Sequence, residues 1–166
     1  MKVGDVLLFV GGKRIIDDLI SWETDSEFTH AALAISETEY IEAWWQGVRK
    51  NNIKNYKDVF KNIIVFTPIT PLIEFQKDQI IRYAAEKIGE PFNFLQILGV
   101  MIEKTSHLKY NPFGSKRKTI CSQLVFQAYK QLFNVDLLPD IEDYSVAPCD
   151  LATSKLLREE NDIVRE

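Results

Sequence analysis

The stretch that decides the fold reads THAALAI (Thr29–Ile35), SET (Ser36–Thr38), EYIEAWW (Glu39–Trp45). Two apolar segments separated by three polar residues predict an antiparallel hairpin with its turn centred on Glu37. In that register His30 on the first strand and Glu42 on the second lie near or diagonal to one another. The two-residue period of a strand lets both side chains share one face of the sheet. Glu42 has Tyr40, Ile41, Ala43, Trp44 and Trp45 as neighbours. A carboxylate embedded among such side chains needs a partner.

Upstream of the hairpin, Val6–Val10 (VLLFV) is entered through Gly4-Asp5 and left through Gly11-Gly12, which predicts a short buried strand. Lys13–Trp22 carries Ile15, Ile16, Leu19, Ile20 and Trp22, a spacing for one or two amphipathic helical turns. Downstream, Asn62–Phe66 is a further strand run, ended by Thr67-Pro68 and Thr70-Pro71. Three or more antiparallel strands are therefore expected in the first half. The period then changes. Apolar residues at 73, 75, 80, 81, 84, 85 and 88 form the stripe of a helix over Ile73–Ile88, closed by Gly89 and Pro91. Cys121–Phe133 predicts a second helix, with Leu124, Val125, Ala128 and Leu132 on one side, and a less regular helix is expected around Phe94–Ile102. No repeat, low-complexity segment or linker divides the chain, so residues 1–166 are expected to form one α+β domain. An antiparallel sheet from the N-terminal half should pack against helices of the C-terminal half.

The charge balance excludes some partners. Lys plus Arg total 20 against 24 Asp plus Glu, a net charge of -4, leaving no broad basic face for nucleic acid. The cluster Lys116, Arg117, Lys118 is a local exception beside Cys121, and His107 in the polar loop Lys104–Lys118 is expected to be exposed. The run Val6–Val10 is shorter than the ~7 to 15 apolar residues of a secretory signal, and no stretch reaches the ~18 of a membrane span. The expectation is a cytoplasmic chain without stable membrane insertion, its two cysteines, Cys121 and Cys149, kept reduced. The histidines and cysteines lack paired C-x-x-C or H-x-x-x-H spacing, so no metal and no cofactor are expected.

The chemistry points to Cys121. A thiol attacks well only as thiolate, and a helix N-terminus, a nearby imidazolium and basic neighbours all favour that form. Cys121 opens the helix CSQLVFQAY, where unpaired backbone N–H groups favour an anion and could also donate to the oxygen of a tetrahedral intermediate. A histidine held by a carboxylate has its tautomer fixed and one ring nitrogen left for a thiol, so Cys121, His30 and Glu42 make a candidate triad assembled from distant positions. Tyr40, Trp44 and Trp45 could wall a cleft, but aromatic clusters on strands usually belong to the core.

Five segments in one order carry a family resemblance: GDVLLFV, THAALAI, YIEAWWQGV, IGEPFNF and CSQLVFQAY, followed by APCDLATSKLL. Together they span roughly Gly4 to Leu157, and the chain resembles the circularly permuted branch of the NlpC-type papain-like amidases, the YiiX/YebB-like group. The resemblance implies a papain-like core with its strand half placed first. It also implies Cys121 as nucleophile, His30 as base and Glu42 as the third polar residue, acting on cell-wall-type peptides or other small amides. Two departures stand out: Phe92 where many relatives carry tyrosine, and Cys149 where a small polar residue is usual. Beside Asp150 a Cys149 thiolate would be disfavoured, and that residue reads as structural or as a helix start. Three functions fit these residues: amide hydrolysis, acyl transfer or lipid-ester cleavage by the same triad, and non-catalytic binding of a peptide or amino acid.

Overall fold

The computed structural model of the chain describes residues 1–11, 26–93, 120–141 and 145–160. The helical turns expected at Lys13–Trp22, the helix expected around Phe94–Ile102 and the loop with His107 and the basic cluster lie outside the described residues.

Five strands come first: β1 (Val6–Val10), β2 (Phe28–Ala34), β3 (Glu39–Trp44), β4 (Gly47–Asn52) and β5 (Asn62–Pro68), with a 3-10 helix (Ile53–Asp58) between the last two. Helices α1 (Glu74–Lys87), α2 (Cys121–Phe133) and the short α3 (Pro148–Ala152) follow, and β6 (Leu157–Glu160) closes the chain's described part. The strands form one antiparallel sheet in the order β4-β3-β2-β1-β5-β6. The α+β layout is as the sequence pattern suggests, except that the sheet is not drawn from the N-terminal half alone: β6, which follows the helices, pairs with β5.

β1 lies within the sheet because its residues tolerate burial on both faces. Val6 and Leu8 turn toward the helices, where they meet Leu33, Ile41 and the α2 residues Leu124, Val125 and Phe126. Leu7 and Phe9 turn the other way, into a second core closed by Tyr56 of the 3-10 helix and by Phe60. Burying such side chains on both faces is worth about 1.5–3 kcal/mol each before entropy is charged against it, which makes this double-faced burial the main source of cohesion.

The hairpin register matches the expectation: Leu33 pairs with Ile41 and Ala34 with Tyr40, centring the turn on residue 37. Other expectations need correction. β5 runs on to Pro68 instead of ending at Phe66, because the Thr67 hydroxyl is held between Asp5 and Glu160, and Pro68, which has no N–H to give, stands as the last ladder residue opposite Leu157. The stripe on α1 is only partly core. Ile80 and Ala84 are buried together with Tyr83, whose hydroxyl donates to the Leu124 carbonyl at 3.2 Å, whereas Phe75 and Ile81 face outward. Ile73 and Ile88 cap the helix at its two ends and are exposed as well. Among the described residues, no helix is long and apolar enough to cross a membrane.

Candidate active site

Where β2 and β3 leave their turn, the ladder between them opens. The paired positions are Leu33 with Ile41 and Ala34 with Tyr40, although β2 starts at Phe28 and β3 runs to Trp44. The N–H of Ala34 is bonded to Asp5, on the β1 side, at 2.9 Å. By strand alternation the N–H of Ala31 points to the other side, into the opening. The Cys121 sulfur occupies that place and accepts the Ala31 N–H.

Cys121 is the first residue of α2, with the N-cap Ile120 in extended conformation and no side-chain cap. The N–H of Ser122, in the same first turn, also donates to the sulfur. The helix start is pinned by the Ser122 hydroxyl, which donates to the Val146 carbonyl at 2.6 Å, just before α3.

His30 shares a hydrogen bond with Cys121 through one ring nitrogen, while its Nε2 lies 2.8 Å from Glu42 Oε2. With Nε2 held by the carboxylate, Nδ1 is the nitrogen left for the thiol. The ring is clamped on the second-core face: it stacks on Phe60 at 5.4 Å and 11°, meets Trp44 edge-on at 5.3 Å, and touches Phe9 at 5.3 Å. Tyr40 and Trp44 are thus core, as aromatic residues on strands usually are, and Trp44 also serves as a wall for the imidazole; Trp45 is exposed at the tip of the β3–β4 turn.

Glu42 is fully buried. Its Oε1 accepts from Arg49 Nε at 2.8 Å, from the same guanidinium's Nη2 at 2.8 Å, and from Asn51 Nδ2 at 3.0 Å. The Arg49 guanidinium lies 4.4 Å from the centre of the Trp44 ring. Four groups therefore stand in a row: the Cys121 sulfur, the His30 ring, the Glu42 carboxylate and the Arg49 guanidinium.

The electrostatics follow from the geometry. Burial alone would push the Cys121 thiol up, but the imidazolium beside it and the N–H groups of Ala31 and Ser122 bring it below its ordinary value. Burial alone would push His30 down, but the Cys121 thiolate and then Glu42 lift it to about 9. Glu42 is likewise opposed by burial, yet His30, Arg49 and Asn51 hold it below the usual carboxylate range.

The structure brings together the three residues singled out in the sequence. Arg49 and Asn51 were not anticipated, because the run GVRKNN (Gly47–Asn52) reads as polar loop and not as strand. The missed signal is Gln46-Gly47. A turn there puts Arg49 directly opposite Glu42, and Gly47 adopts φ +120 where an added Cβ would stand 2.9 Å from the Glu90 carbonyl. Cys149 is the second residue of α3, its sulfur 3.9 Å from Asp150 Oδ1, consistent with a helix-start position; both cysteines are free thiols. Among the described residues, no group of three or more His, Cys, Asp or Glu side chains is placed to hold a metal ion.

No family model matches the chain, and no curated protein does. Among solved structures, it is similar to one described as metalloprotein yiiX from Escherichia coli O157:H7, with a TM-score of 0.73 and 14% sequence identity, covering 98% of this chain and 97% of that one. The chain therefore shares the yiiX fold over practically its whole length.

Proposed function

We propose that this protein is a cysteine hydrolase that cleaves an amide bond, peptide or isopeptide, in small peptides of the cell-wall type, with the chemistry of a permuted NlpC-type papain-like amidase. The observation that carries the reading is the buried row Cys121, His30, Glu42, with Nε2 of the histidine at 2.8 Å from the carboxylate and its other nitrogen shared with the thiol. A thiol packed into a core for its size alone does not need at its side an imidazole oriented by a buried carboxylate.

In the proposed reaction the Cys121 sulfur attacks the carbonyl carbon, forming the C–S bond while the carbonyl electrons move to oxygen. First-turn N–H groups of α2 offer donors for that oxyanion. Its collapse breaks the C–N bond as the imidazolium gives its Nδ1 proton to the leaving amine. Water then attacks the thioester, His30 takes the water's proton, and the carboxylic acid leaves with the thiolate restored. Glu42 keeps its charge throughout and holds the ring in orientation.

A metal-centred reading, suggested by the description of the structural neighbour, does not fit these donors. Both Glu42 oxygens and Nε2 of His30 are engaged, and a cation at Oε1 would have to displace the Arg49 guanidinium.

The test is incubation of wild type and Cys121→Ala with muropeptides and, separately, with acyl lipids, followed by mass spectrometry. Cleaved peptide from wild type only is expected. Acyl transfer or ester cleavage instead would assign the same residues to lipid chemistry, and product from neither would leave a binding module.

A further inference from the structure

We propose that Arg49 and Asn51 are positioning residues that hold Glu42 ionised and aimed at His30, and thereby set the acid limit of the pH range in which Cys121 is reactive. The inference rests on the triad reading above and goes beyond it to two residues outside the triad.

Glu42 has two oxygens and two tasks. Oε2 faces His30, and Oε1 takes all three of the other donors, two from Arg49 and one from Asn51. A fully buried carboxylate with one oxygen left bare would be far easier to protonate, since burial is the largest influence on it and opposes the charge. Once protonated it would stop supporting the imidazolium, and the thiolate would lose its counter-ion. Arg49 is fixed for this role on both sides of its guanidinium plane and edge: the edge meets Glu42 and the face lies on Trp44, which in turn packs edge-on against His30. One aromatic ring thus sets the relative placement of the guanidinium and the imidazole. The register adds the rest, because Arg49 is the residue paired with Glu42 and Asn51 is the next residue on the same face of β4.

The groups facing Glu42 come from every element around it. They are His30 from β2, Tyr40 on its own strand, Arg49 and Asn51 from β4, and Cys121 of α2 one step beyond the imidazole. Tyr40 is pushed well above its ordinary value by burial and by Glu42 itself, so it stays neutral and adds no charge. Arg49 is therefore the cation beside Glu42 that does not take part in proton transfer.

A surface arginine paired with an exposed carboxylate would matter little. Here only the arginine is near solvent, with 37% of its side chain exposed against none of Glu42, so replacement is feasible without opening a core cavity. The experiment measures iodoacetamide alkylation of Cys121 from about pH 4 to 9 by peptide-resolved mass spectrometry. It compares wild type, Arg49→Gln, Arg49→Lys, Asn51→Ala and His30→Ala. Expected is an upward move of the acid limb by about one pH unit in Arg49→Gln, which is about tenfold slower labelling below the limb. Arg49→Lys should return the limb part of the way, and Asn51→Ala should give a smaller move in the same direction. If Arg49→Gln leaves the limb in place while His30→Ala changes the profile, the positioning role is wrong and the triad stands. If His30→Ala also changes nothing, the triad reading itself falls and this inference with it. A merely structural role for Arg49 would lower the melting temperature of Arg49→Gln without moving the limb, which also overturns the proposal.

Discussion

Replacing His30 with alanine removes the imidazolium from the centre of the charge row, and the consequence for Cys121 can be worked out. In the wild type the ring is lifted to about 9 and the thiol lies below its ordinary value, so the ion pair of thiolate and imidazolium is favoured over the neutral pair. In His30→Ala the sulfur keeps the Ala31 and Ser122 N–H donors but loses its largest support, and burial pushes it up again. A thiol back at the free value of ~8.5 is only about 3% ionised at pH 7, so against a fully ionised sulfur the loss of thiolate is about 30-fold at most, or about 2 kcal/mol. The rate falls less than the population, since a low-pKa thiolate is the weaker nucleophile, with a Brønsted slope of ~0.4–0.5. A drop in alkylation rate of up to about tenfold at pH 7 is expected, together with a profile that climbs toward pH 9 more steeply than that of wild type. Ultraviolet absorbance of the thiolate, followed across the same pH range, separates population from nucleophilicity. If the wild-type sulfur titrates like free cysteine, or the two profiles superimpose, the ion pair does not exist in solution. Folding stability carries the same information with a defined sign. The ring's contribution is complete below 6.5 and is lost as pH rises toward 9, while the thiol's grows as pH climbs toward its ordinary 9.0. Between those limits the two slopes offset each other. On the acid side the thiol's part is lost as pH falls through its folded value while the ring's part stays complete, so wild type should lose more stability on acidification than His30→Ala does.

Two further predictions concern the frame around the site. Gly47→Ala should destabilise the fold by about 1–3 kcal/mol, because φ +120 is strained for alanine and the new Cβ would meet the Glu90 carbonyl that bonds the Val48 N–H. A fall in the urea midpoint at unchanged slope checks it, and a midpoint equal to wild type would mean that the 89–90 segment yields freely. Asp5→Asn should stabilise the protein at neutral pH by about 1 kcal/mol. The single Thr67 hydroxyl proton stands between Asp5 Oδ1 at 2.9 Å and Glu160 Oε2 at 2.7 Å, and burial raises the Asp5 carboxyl, so its ionised form is disfavoured in the fold. An amide can donate to Thr67 while still accepting the Lys2 N–H. Because the Asp5 value is raised in the folded state, its stabilisation holds at low pH and fades as pH rises through that value. The advantage of Asn should therefore widen from acid to neutral pH, and a difference that narrows instead would refute the assignment.

What the sequence discloses and what it hides have one physical cause. β1, β2 and β3 are legible because burial on at least one face writes apolar residues into them, and α2 because Leu124, Val125 and Ala128 recur at helical spacing toward the same core. β4 and β6 are not, since an outer strand with a wet face tolerates runs such as Gly47–Asn52 or Leu157–Glu160, where one or two side chains anchor the rest. The site divides along the same line. His30 and Glu42 can be placed together from a turn centred on residue 37, but Arg49 and Asn51, taken one at a time, resemble solvated polar residues, and only their register gives them a buried partner. The demand for that partner was nonetheless present in the composition of β3. A carboxylate among Tyr40, Ile41, Ala43 and Trp44 must satisfy two oxygens, and a histidine satisfies one. The second oxygen requires donors from the next strand. The Gln46-Gly47 turn brings to that place a residue with a fixed fork of N–H groups and a permanent positive charge, which a lysine or a serine could supply only in part. The triad residues thus do not complete the site by themselves: a buried Glu42 can stay charged beside His30 only if β4 folds against β3, which ties the ionisation of Cys121 to the formation of a polar hairpin at the sheet's edge.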